Sequence, residues 1–301
     1  MAMFQTPHHQ SSSSLLRLPY DVRVIIWEAA LGNRCIHMSG RKNLGQNMQP
    51  PVYAFGHFVC ALAKEGACHA CASFAESFNK FRFIAAGNLG DTSHVSESVA
   101  LLQTCRLIYH EATGFLYGTN TFQFKTPKSL NLFYNMLSRP RWDSIHSLHM
   151  HWRFPGGDSE QLQAKLVRFL AHYDASGESL DFLRGDLRDR FPDDWIFACS
   201  AIARMHNLRD FGLCIVLPSW IMARAPEMVS LLRPLQALET KETWTLGLKI
   251  DDANGNTLQQ SLRDAGFRCR IARIVNLRDA PEWKTRRGAG KCCVQVPLHP
   301  L

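Results

Sequence analysis

The chain has 301 residues, of which 46% are hydrophobic and 20% are charged. This length allows one large or two modest domains with a sizeable core and no need for cross-links. Ten cysteines are spread along the chain with no secretory leader before them, so we expect reduced thiols. The longest apolar stretch, Phe211 to Ala223, has about thirteen residues and contains Pro218, whereas a membrane span needs about twenty. The composition therefore excludes a disulfide scaffold and predicts no transmembrane helix.

The net charge of +8 is unevenly placed along the chain. Between Arg268 and Lys291, eight Lys or Arg residues stand against Asp279 and Glu282. Such a segment can bind the phosphates of a nucleic acid or an acidic partner, and Trp283 is available for stacking. More often a basic run is only a solvated surface. Binding of a nucleic acid or an acidic partner through this segment is therefore our alternative function, and we do not expect a nucleic acid as the principal partner.

The first organised element follows a polar N-terminal stretch, residues 1–14, which we expect to be a disordered tail. Apolar residues then recur at the three- and four-residue spacing of a helix with one apolar stripe, namely Leu18, Val22, Ile25, Ile26 and Ala29. Pro19 suits the first turn of this helix, and Gly32 is expected to end it in the left-handed conformation. The pattern predicts a helix from Pro19 to Leu31.

A second helix with a broad apolar face is predicted further along the chain. Its apolar residues are Leu101, Leu102, Cys105, Ile108, Ala112, Phe115 and Leu116. We expect this helix to end at Gly118, with a strand at Thr121 to Phe124. We interpret it as a buried helix packed against the Pro19 helix, with Cys105, Tyr109 and His110 as packing residues.

Two segments carry a resemblance to a known family. Residues 16–31 read LRLPYDVRVIIWEAAL, and residues 101–124 read LLQTCRLIYHEATGFLYGTNTFQF. The first resembles the opening of F-box-like domains in large families of filamentous-fungal proteins, and the second resembles the helix-turn-strand segment of the same families. Together they cover about forty of the 301 residues.

The resemblance implies a role in protein binding. In F-box proteins, the Leu-Pro helix and two further helices dock onto the adaptor subunit of a cullin-type ubiquitin ligase, while a C-terminal repeat domain holds the substrate. By this resemblance the partner-binding candidates are Leu18, Pro19, Val22 and Ile25. The stretch after Gly32, Asn33 to Asn47, is rich in Gly and Asn and is predicted to be a strand or loop in place of further F-box helices.

Strands and helices are predicted to alternate in the rest of the chain. The strands are Ile145 to Trp152, Asp210 to Leu217, Thr243 to Ile250 and Cys269 to Val275. The helices are Thr126 to Leu137, Gln161 to Tyr173, Asp194 to His206, Pro226 to Leu238 and Thr257 to Ala265. This alternation favours an α/β fold, with α+β as the alternative, in which the F-box-like helical unit packs on an irregular, largely parallel, repeat-like body.

We expect four divisions of the chain from these patterns. They are a tail at 1–14, the F-box-like helical unit at 15–138 with an insertion at 34–98, the α/β body at 139–277, and a basic C-terminal tail at 278–301.

One cluster has the residue types and spacing of a zinc site. His57, Cys60, Cys68 and Cys71 form His-x2-Cys-x7-Cys-x2-Cys, and His69 could substitute for one of these ligands. The competing interpretation, which we favour, is a buried helix or an inserted segment, because Phe58 to Leu62 is apolar and helix-like. We therefore predict no metal and no cofactor.

A second cluster contains His146, His149 and His151, of which the last two share one face of the predicted strand. No carboxylate or cysteine stands close by in the sequence to complete a metal site, so we interpret them as part of an exposed sheet face that could receive a partner.

The chain lacks the phosphate-binding, dinucleotide-binding and nucleophile-elbow motifs of common enzymes. The predicted function is that of a non-enzymatic, intracellular protein-protein interaction scaffold, cytoplasmic or nuclear. In its most specific form it is a degenerate F-box-type substrate receptor of a ubiquitin ligase.

Overall fold

The computed structural model describes residues 13–42, 53–59, 100–153, 191–216, 225–238, 244–248, 250, 252–276 and 293–297. Its helices are α1 (Ser14–Arg17), α2 (Tyr20–Leu31), α3 (Arg106–Gly118), α4 (Pro127–Met136), α5 (Arg139–Asp143), α6 (Phe191–Ala203), α7 (Ala225–Leu232) and α8 (Asp252–Asp264), with a 3-10 turn at Arg233–Leu235. Its strands are β1 (Cys35–Lys42), β2 (Tyr53–Val59), β3 (Thr121–Phe124), β4 (Ser147–Arg153), β5 (Asp210–Val216), β6 (Trp244–Leu248), β7 (Cys269–Asn276) and β8 (Cys293–Pro297). The α/β fold class is thereby confirmed.

All of these strands form one sheet in the order β2-β1-β3-β4-β5-β6-β7-β8. The six strands β1 and β3 to β7 are parallel, and β2 and β8 are antiparallel strands at the two edges. From β3 to β7 each strand lies beside the next one along the chain. The connecting helices therefore run back along the sheet, and each of them ends at the edge where the next strand begins.

The main core lies between the helices and one face of the sheet. Strand β4 shows the alternation, since Leu148, Met150 and Trp152 are buried while His149 and His151 are half-buried on the opposite face. Helix α6 supplies Trp195, whose ring stacks on that of Trp152 with 4.8 Å between the ring centroids. Its Nε1 donates to the Leu231 carbonyl at 2.8 Å. Alternation thus separates an apolar, helix-covered face from a second, more polar face.

A smaller core joins the N-terminal helices. It contains Trp27, Leu31, Leu102, Ile108 and Ala112, which brings α2 against α3. The predicted packing of these two helices is confirmed. Apolar burial accordingly holds together the two segments, 16–31 and 101–124, that carry the family resemblance.

The buried Asn120 ties this helical unit to the sheet. Its Nδ2 donates to the carbonyls of Leu31 at 2.6 Å and Leu116 at 2.8 Å, and its Oδ1 accepts from the Arg34 backbone N–H at 2.7 Å. One side-chain amide thereby provides a hydrogen-bond partner for a carbonyl at the end of α2, a carbonyl at the end of α3 and the backbone N–H of the residue before β1.

The end of α2 differs from the prediction. Gly32 is not left-handed, since its φ is −95°, and the left-handed residue is Asn33, with φ 56°. A glycine is needed at position 32 for a different reason. A Cβ there would lie 2.6 Å from Thr119 Oγ1 and 2.9 Å from the Glu28 carbonyl oxygen, so the close approach of α2 to the end of α3 excludes a side chain.

The second helix also differs from the prediction. Residues 100–103 are helical, but the chain is extended at Cys105, with φ −159°, and α3 begins at Arg106. Cys105 Sγ accepts from the Ile108 backbone N–H at 3.4 Å, so Cys105 caps this helix. His110 is exposed, and its assignment as a packing residue was wrong.

Most other predicted elements lie within a few residues of the observed ones, and the helix predicted at Gln161 to Tyr173 lies outside the described residues. The sheet crosses the predicted divisions of the chain. Strands β1 and β2 lie in the stretch assigned to an insertion, β3 lies in the predicted helical unit, and β8 lies in the predicted basic tail. The expected helix-like stretch at Phe58 to Leu62 was wrong at its start, because Phe58 and Val59 belong to β2.

The cysteine side chains that the structure describes form no disulfide bond: Cys35, Cys105, Cys199, Cys214 and Cys269. Burial raises the pKa of Cys199 well above its ordinary value and that of Cys269 to about 12. In the part of the chain that the structure describes, no helix is both long and apolar enough to span a membrane.

Candidate partner-binding site

The inner face of α2 is organised by a half-buried arginine. Arg23 donates from Nε to Glu111 Oε2 at 2.9 Å and from Nη2 to Oε1 at 2.6 Å, which makes a two-pronged ion pair with α3. Its Nη1 donates to the Leu18 carbonyl at 2.6 Å. Trp27 Nε1 adds a hydrogen bond to Glu111 Oε2 at 3.2 Å. Arg23 therefore fixes the angle between α1 and α2 and attaches both to α3.

The same contacts change the acidity of the carboxyl group. Hydrogen bonding from Arg23, aided by that from Trp27, lowers the pKa of Glu111 below its usual range, although burial opposes this shift. The pKa of Arg23 is raised, first by its hydrogen bond to Glu111. Both groups are therefore charged at neutral pH, which strengthens the contact between α2 and α3.

The outer face of α2 carries the apolar stripe predicted from the sequence. Val22 is 40% exposed and Ile25 is 66% exposed. Ala29 is also exposed, whereas Leu18 and Ile26 are half-buried. The residues that the helix buries are instead Trp27 and Leu31. Because the inner face is occupied by Trp27, Arg23 and Leu31, the Val22, Ile25 and Ala29 stripe is directed away from the core.

The partner-binding candidates thus lie between α1 and α2 and along the outer face of α2. Pro19 is exposed and stands at the N-terminus of α2 with φ −51° and ψ 148°, one residue before the helix rather than in its first turn. Asp21 and Glu28 are exposed on the flank of the same helix. An apolar stripe with a polar margin is the usual anatomy of a small protein-binding surface.

The histidines of β4 lie on the sheet face opposite the helices, and the structure adds a carboxylate that the sequence did not suggest. Asp210, at the start of β5, lies beside Ser147 in the strand register. Its Oδ2 accepts from Ser147 Oγ at 2.8 Å and lies 2.9 Å from His149 Nε2. A Cβ on Gly212 would lie 3.0 Å from His149 Cδ2, so glycine lets the imidazole lie over β5.

This group contains the residue types of a serine-hydrolase triad in a different arrangement. In a triad the histidine contacts both the serine and the carboxylate, whereas here Asp210 contacts both Ser147 and His149. Ser147 Oγ lies 3.0 Å from Thr121 Oγ1, so a row of polar contacts crosses β3, β4 and β5. Within the described residues, no group of three His, Cys, Asp or Glu side chains is placed to hold a metal ion.

The zinc candidates are described only at one position. His57 lies on β2, opposite Met38 of β1. Cys60, Cys68, His69 and Cys71 lie outside the described residues. The basic C-terminal segment is described at its start, where Arg268 and Arg270 are exposed, whereas Trp283 and Lys291 lie outside the described residues.

Sequence reasoning missed Arg23, Glu111 and Asp210. A signal existed for the first pair, because an arginine and a glutamate stand among apolar residues in the two segments that were predicted to pack together, and a charge inside such a contact requires a partner. Asp210 could not be connected with Ser147 and His149 before the strand register was known.

A search of protein families matches residues 8–271 to the family described as Domain of unknown function (DUF7730). Because this match spans most of the chain, the protein belongs to that family. Searches of curated proteins and of solved structures found no match.

Proposed function

We propose that this protein is a non-enzymatic interaction scaffold that binds a protein partner through the outer face of α2. The observation that carries the proposal is the exposure of Val22 and Ile25 on a helix whose other face is fully engaged. Val22, Ile25 and Ala29 form one apolar stripe on a single helix face, and burial of such a stripe by a partner is favourable.

The anchoring of α2 supports the same proposal. A docking helix must keep its orientation when the partner binds, because ordering a mobile element reduces affinity. The ion pair of Arg23 with Glu111 and the hydrogen bond from Arg23 to Leu18 hold the helix and the residues before it in place. The stripe is therefore presented by an anchored helix.

In its most specific form, the proposal is a degenerate F-box-type substrate receptor of a ubiquitin ligase, located in the cytoplasm or the nucleus. The support is the resemblance of residues 16–31 and 101–124 to F-box-like segments, together with the packing of α2 against α3. The chain that follows α2 forms β1 rather than a second helix, so the adaptor would contact a reduced surface.

The test is purification of the tagged protein from its native cells, beside a Val22→Asp, Ile25→Asp variant. Circular dichroism confirms that both proteins are folded, and mass spectrometry identifies what each one retains. We expect a ligase adaptor and a cullin with the unmutated protein only, because two carboxylates in the interface would be desolvated without partners.

A matched control separates this surface from a general effect of new charge. Met136 is 65% exposed and Phe197 is 44% exposed on α4 and α6, close to the values of Ile25 and Val22. The Met136→Asp, Phe197→Asp variant should retain the partner. Equal recovery of adaptor and cullin by all three proteins, or with none of them, would reject the proposal.

A further inference from the structure

The edge of the sheet where the parallel strands begin carries a row of arginines. Each connecting helix ends at this edge, and so the residues that leave the helices and enter β4, β5, β6 and β7 come together there. They include six exposed arginines, which we call the basic edge: Arg139, Arg204, Arg209, Arg233, Arg263 and Arg268.

Hydrogen bonds show that these connections are neighbours in space. Arg139 Nη2 donates to the Arg204 carbonyl at 2.6 Å, which joins α5 to the end of α6. The Arg209 backbone N–H donates to the His146 carbonyl at 2.8 Å, which joins the starts of β4 and β5. Gln236 Nε2 donates to the Ala265 carbonyl at 2.9 Å, which joins the connections to β6 and β7. The basic edge therefore consists of two joined pairs of connections, which the pairing of β5 with β6 places side by side.

Few described carboxylates compensate this charge. Asp143 pairs with Arg139 at 2.9 Å, Asp264 accepts from Gln260 at 2.7 Å, and Asp210 contacts Ser147 and His149. Among the described residues, Arg204, Arg209 and Arg268 form no salt bridge. The cationic excess is thus available to a ligand.

The opposite edge of the sheet has equal numbers of described positive and negative side chains. The charged side chains described where β3 ends and where α4, α6 and α7 begin are Lys125, Lys128, Asp194 and Glu227, two of each sign. Cations at helix C-termini also stabilise the helix dipole, which accounts for Arg204, Arg233 and Arg263 at or just beyond the ends of α6, α7 and α8. It does not account for Arg209 and Arg268, which stand at the entrances of β5 and β7 beyond the helices.

We propose that the basic edge binds the phosphate backbone of a nucleic acid, independently of base sequence. This inference goes beyond the proposed function and uses a different surface. Neighbouring strands lie about 4.8 Å apart, so the row from β4 to β7 is about 15 Å long. Measured along the helix axis, one strand of a duplex presents a phosphate about every 3.4 Å. A row of this length that lies parallel to the axis therefore spans about four phosphates.

The chemistry of the surface favours a nucleic acid over an acidic protein segment. Protein interfaces depend on a few buried apolar or aromatic anchors. The large apolar side chains that the structure describes as exposed are Tyr20, Val22, Ile25, Leu107, Met136 and Phe197. Of these, only Met136, at the end of α4, stands beside the described part of the basic edge, and none lies between the end of a helix and the start of β5, β6 or β7. A row of guanidinium groups with few apolar neighbours suits repeated phosphates.

The test measures fluorescence anisotropy of a labelled 20-base-pair DNA duplex with the full chain, over a range of salt concentrations. We expect the logarithm of the binding constant to fall linearly with the logarithm of salt, with a slope of about −3.6 for four phosphate contacts. The Arg204→Gln, Arg209→Gln variant should bind more weakly, with a slope smaller by about 1.8.

The control removes two cations elsewhere. Arg106 is the first residue of α3 and Lys128 lies in the first turn of α4, and both are exposed. The Arg106→Gln, Lys128→Gln variant has the same net charge as the edge variant and should keep the unmutated slope. Thermal unfolding followed by circular dichroism verifies that each variant is folded.

Four results would overturn the proposal. They are absence of binding at low salt, equal losses in the edge variant and its control, a loss confined to an Arg286→Gln, Arg287→Gln variant of the C-terminal segment, and displacement of the duplex by polyglutamate at equal charge concentration. The third result would assign binding to the C-terminal segment, and the last would assign an acidic protein as the partner.

Discussion

The helical unit and the sheet body are held together by different means. In the body, apolar side chains fill one face of the sheet and the helices above it, with Trp152 and Trp195 stacked at the centre. In the helical unit, the apolar cluster is small, and the ion pair of Arg23 with Glu111 lies beside Trp27 in the contact between α2 and α3.

This difference affects what each apolar residue signifies. In the body, an apolar residue at an alternating strand position is a core residue. On α2, the polar contact with α3 takes part of the inner face, and an apolar stripe remains outside. Exposure of apolar surface is therefore concentrated in the unit that depends least on apolar burial for its assembly.

The largest expected effect tests the body. Trp195→Ala removes a fully buried indole and leaves the Leu231 carbonyl without its donor. We expect the free energy of unfolding to fall by about 3–5 kcal/mol, measured by urea denaturation. Trp27→Ala removes an equally buried indole from the smaller cluster. It should increase amide hydrogen exchange in α2 and α3 and leave β4 to β7 protected.

The comparison between the two regions fails if Trp27→Ala increases exchange in β4 to β7 as much as in α2. That outcome would mean that the Asn120 hydrogen bonds couple the helical unit and the sheet into one cooperative unit.

The second effect depends on pH and tests the polar contact. The pKa of Glu111 is lower in the folded protein than in the unfolded chain, where the pKa of a glutamate is about 4.3. The charge of Glu111 therefore stabilises the fold fully above about pH 4.3. This contribution is lost as the pH falls through the lower pKa of the folded protein. Glu111→Gln should therefore be less stable than the unmutated protein at pH 7, and the difference should shrink below about pH 4.

Urea unfolding of both proteins at several pH values measures this difference directly, and general acid destabilisation cancels in the subtraction. An Asp264→Gln variant, which changes an exposed carboxylate outside the contact, is the control and should show little difference at any pH. A Glu111→Gln difference that persists unchanged at pH 3 would show that the hydrogen-bond geometry, rather than the charge, stabilises the contact.

The sequence predicted the body well because local rules decide it. Strand β3 has the predicted bounds, Thr121 to Phe124, and β5 and β7 differ from the predictions by one residue at one end. Alternating apolar residues and turn residues specify such strands without knowledge of their neighbours. The α/β fold class then followed from the alternation of strands and helices.

The remaining features depend on tertiary contacts. Periodicity identified the stripe of Val22 and Ile25 but could not decide whether it faced the core, because that choice depends on Trp27 and on the pairing of Arg23 with Glu111, 88 residues apart. Likewise, Gly32 was recognised as special, but its reason is the distance to Thr119 rather than its own backbone conformation.

The smallest expected effect on stability is that of Val22→Asp, Ile25→Asp, the variant that should lose its partner. Both side chains are exposed, so each substitution should change the free energy of unfolding by no more than about 0.5 kcal/mol. On the same helix, Trp27→Ala should destabilise the α2–α3 contact far more, although it removes only one side chain.

Urea denaturation of the two variants compares the two faces of α2. A loss of more than about 2 kcal/mol in the Val22, Ile25 variant would show that the stripe is packed inside the protein, and its effect on binding could then be attributed to unfolding. Unchanged stability together with a lost partner would assign the inner face of α2 to the fold and its outer face to recognition.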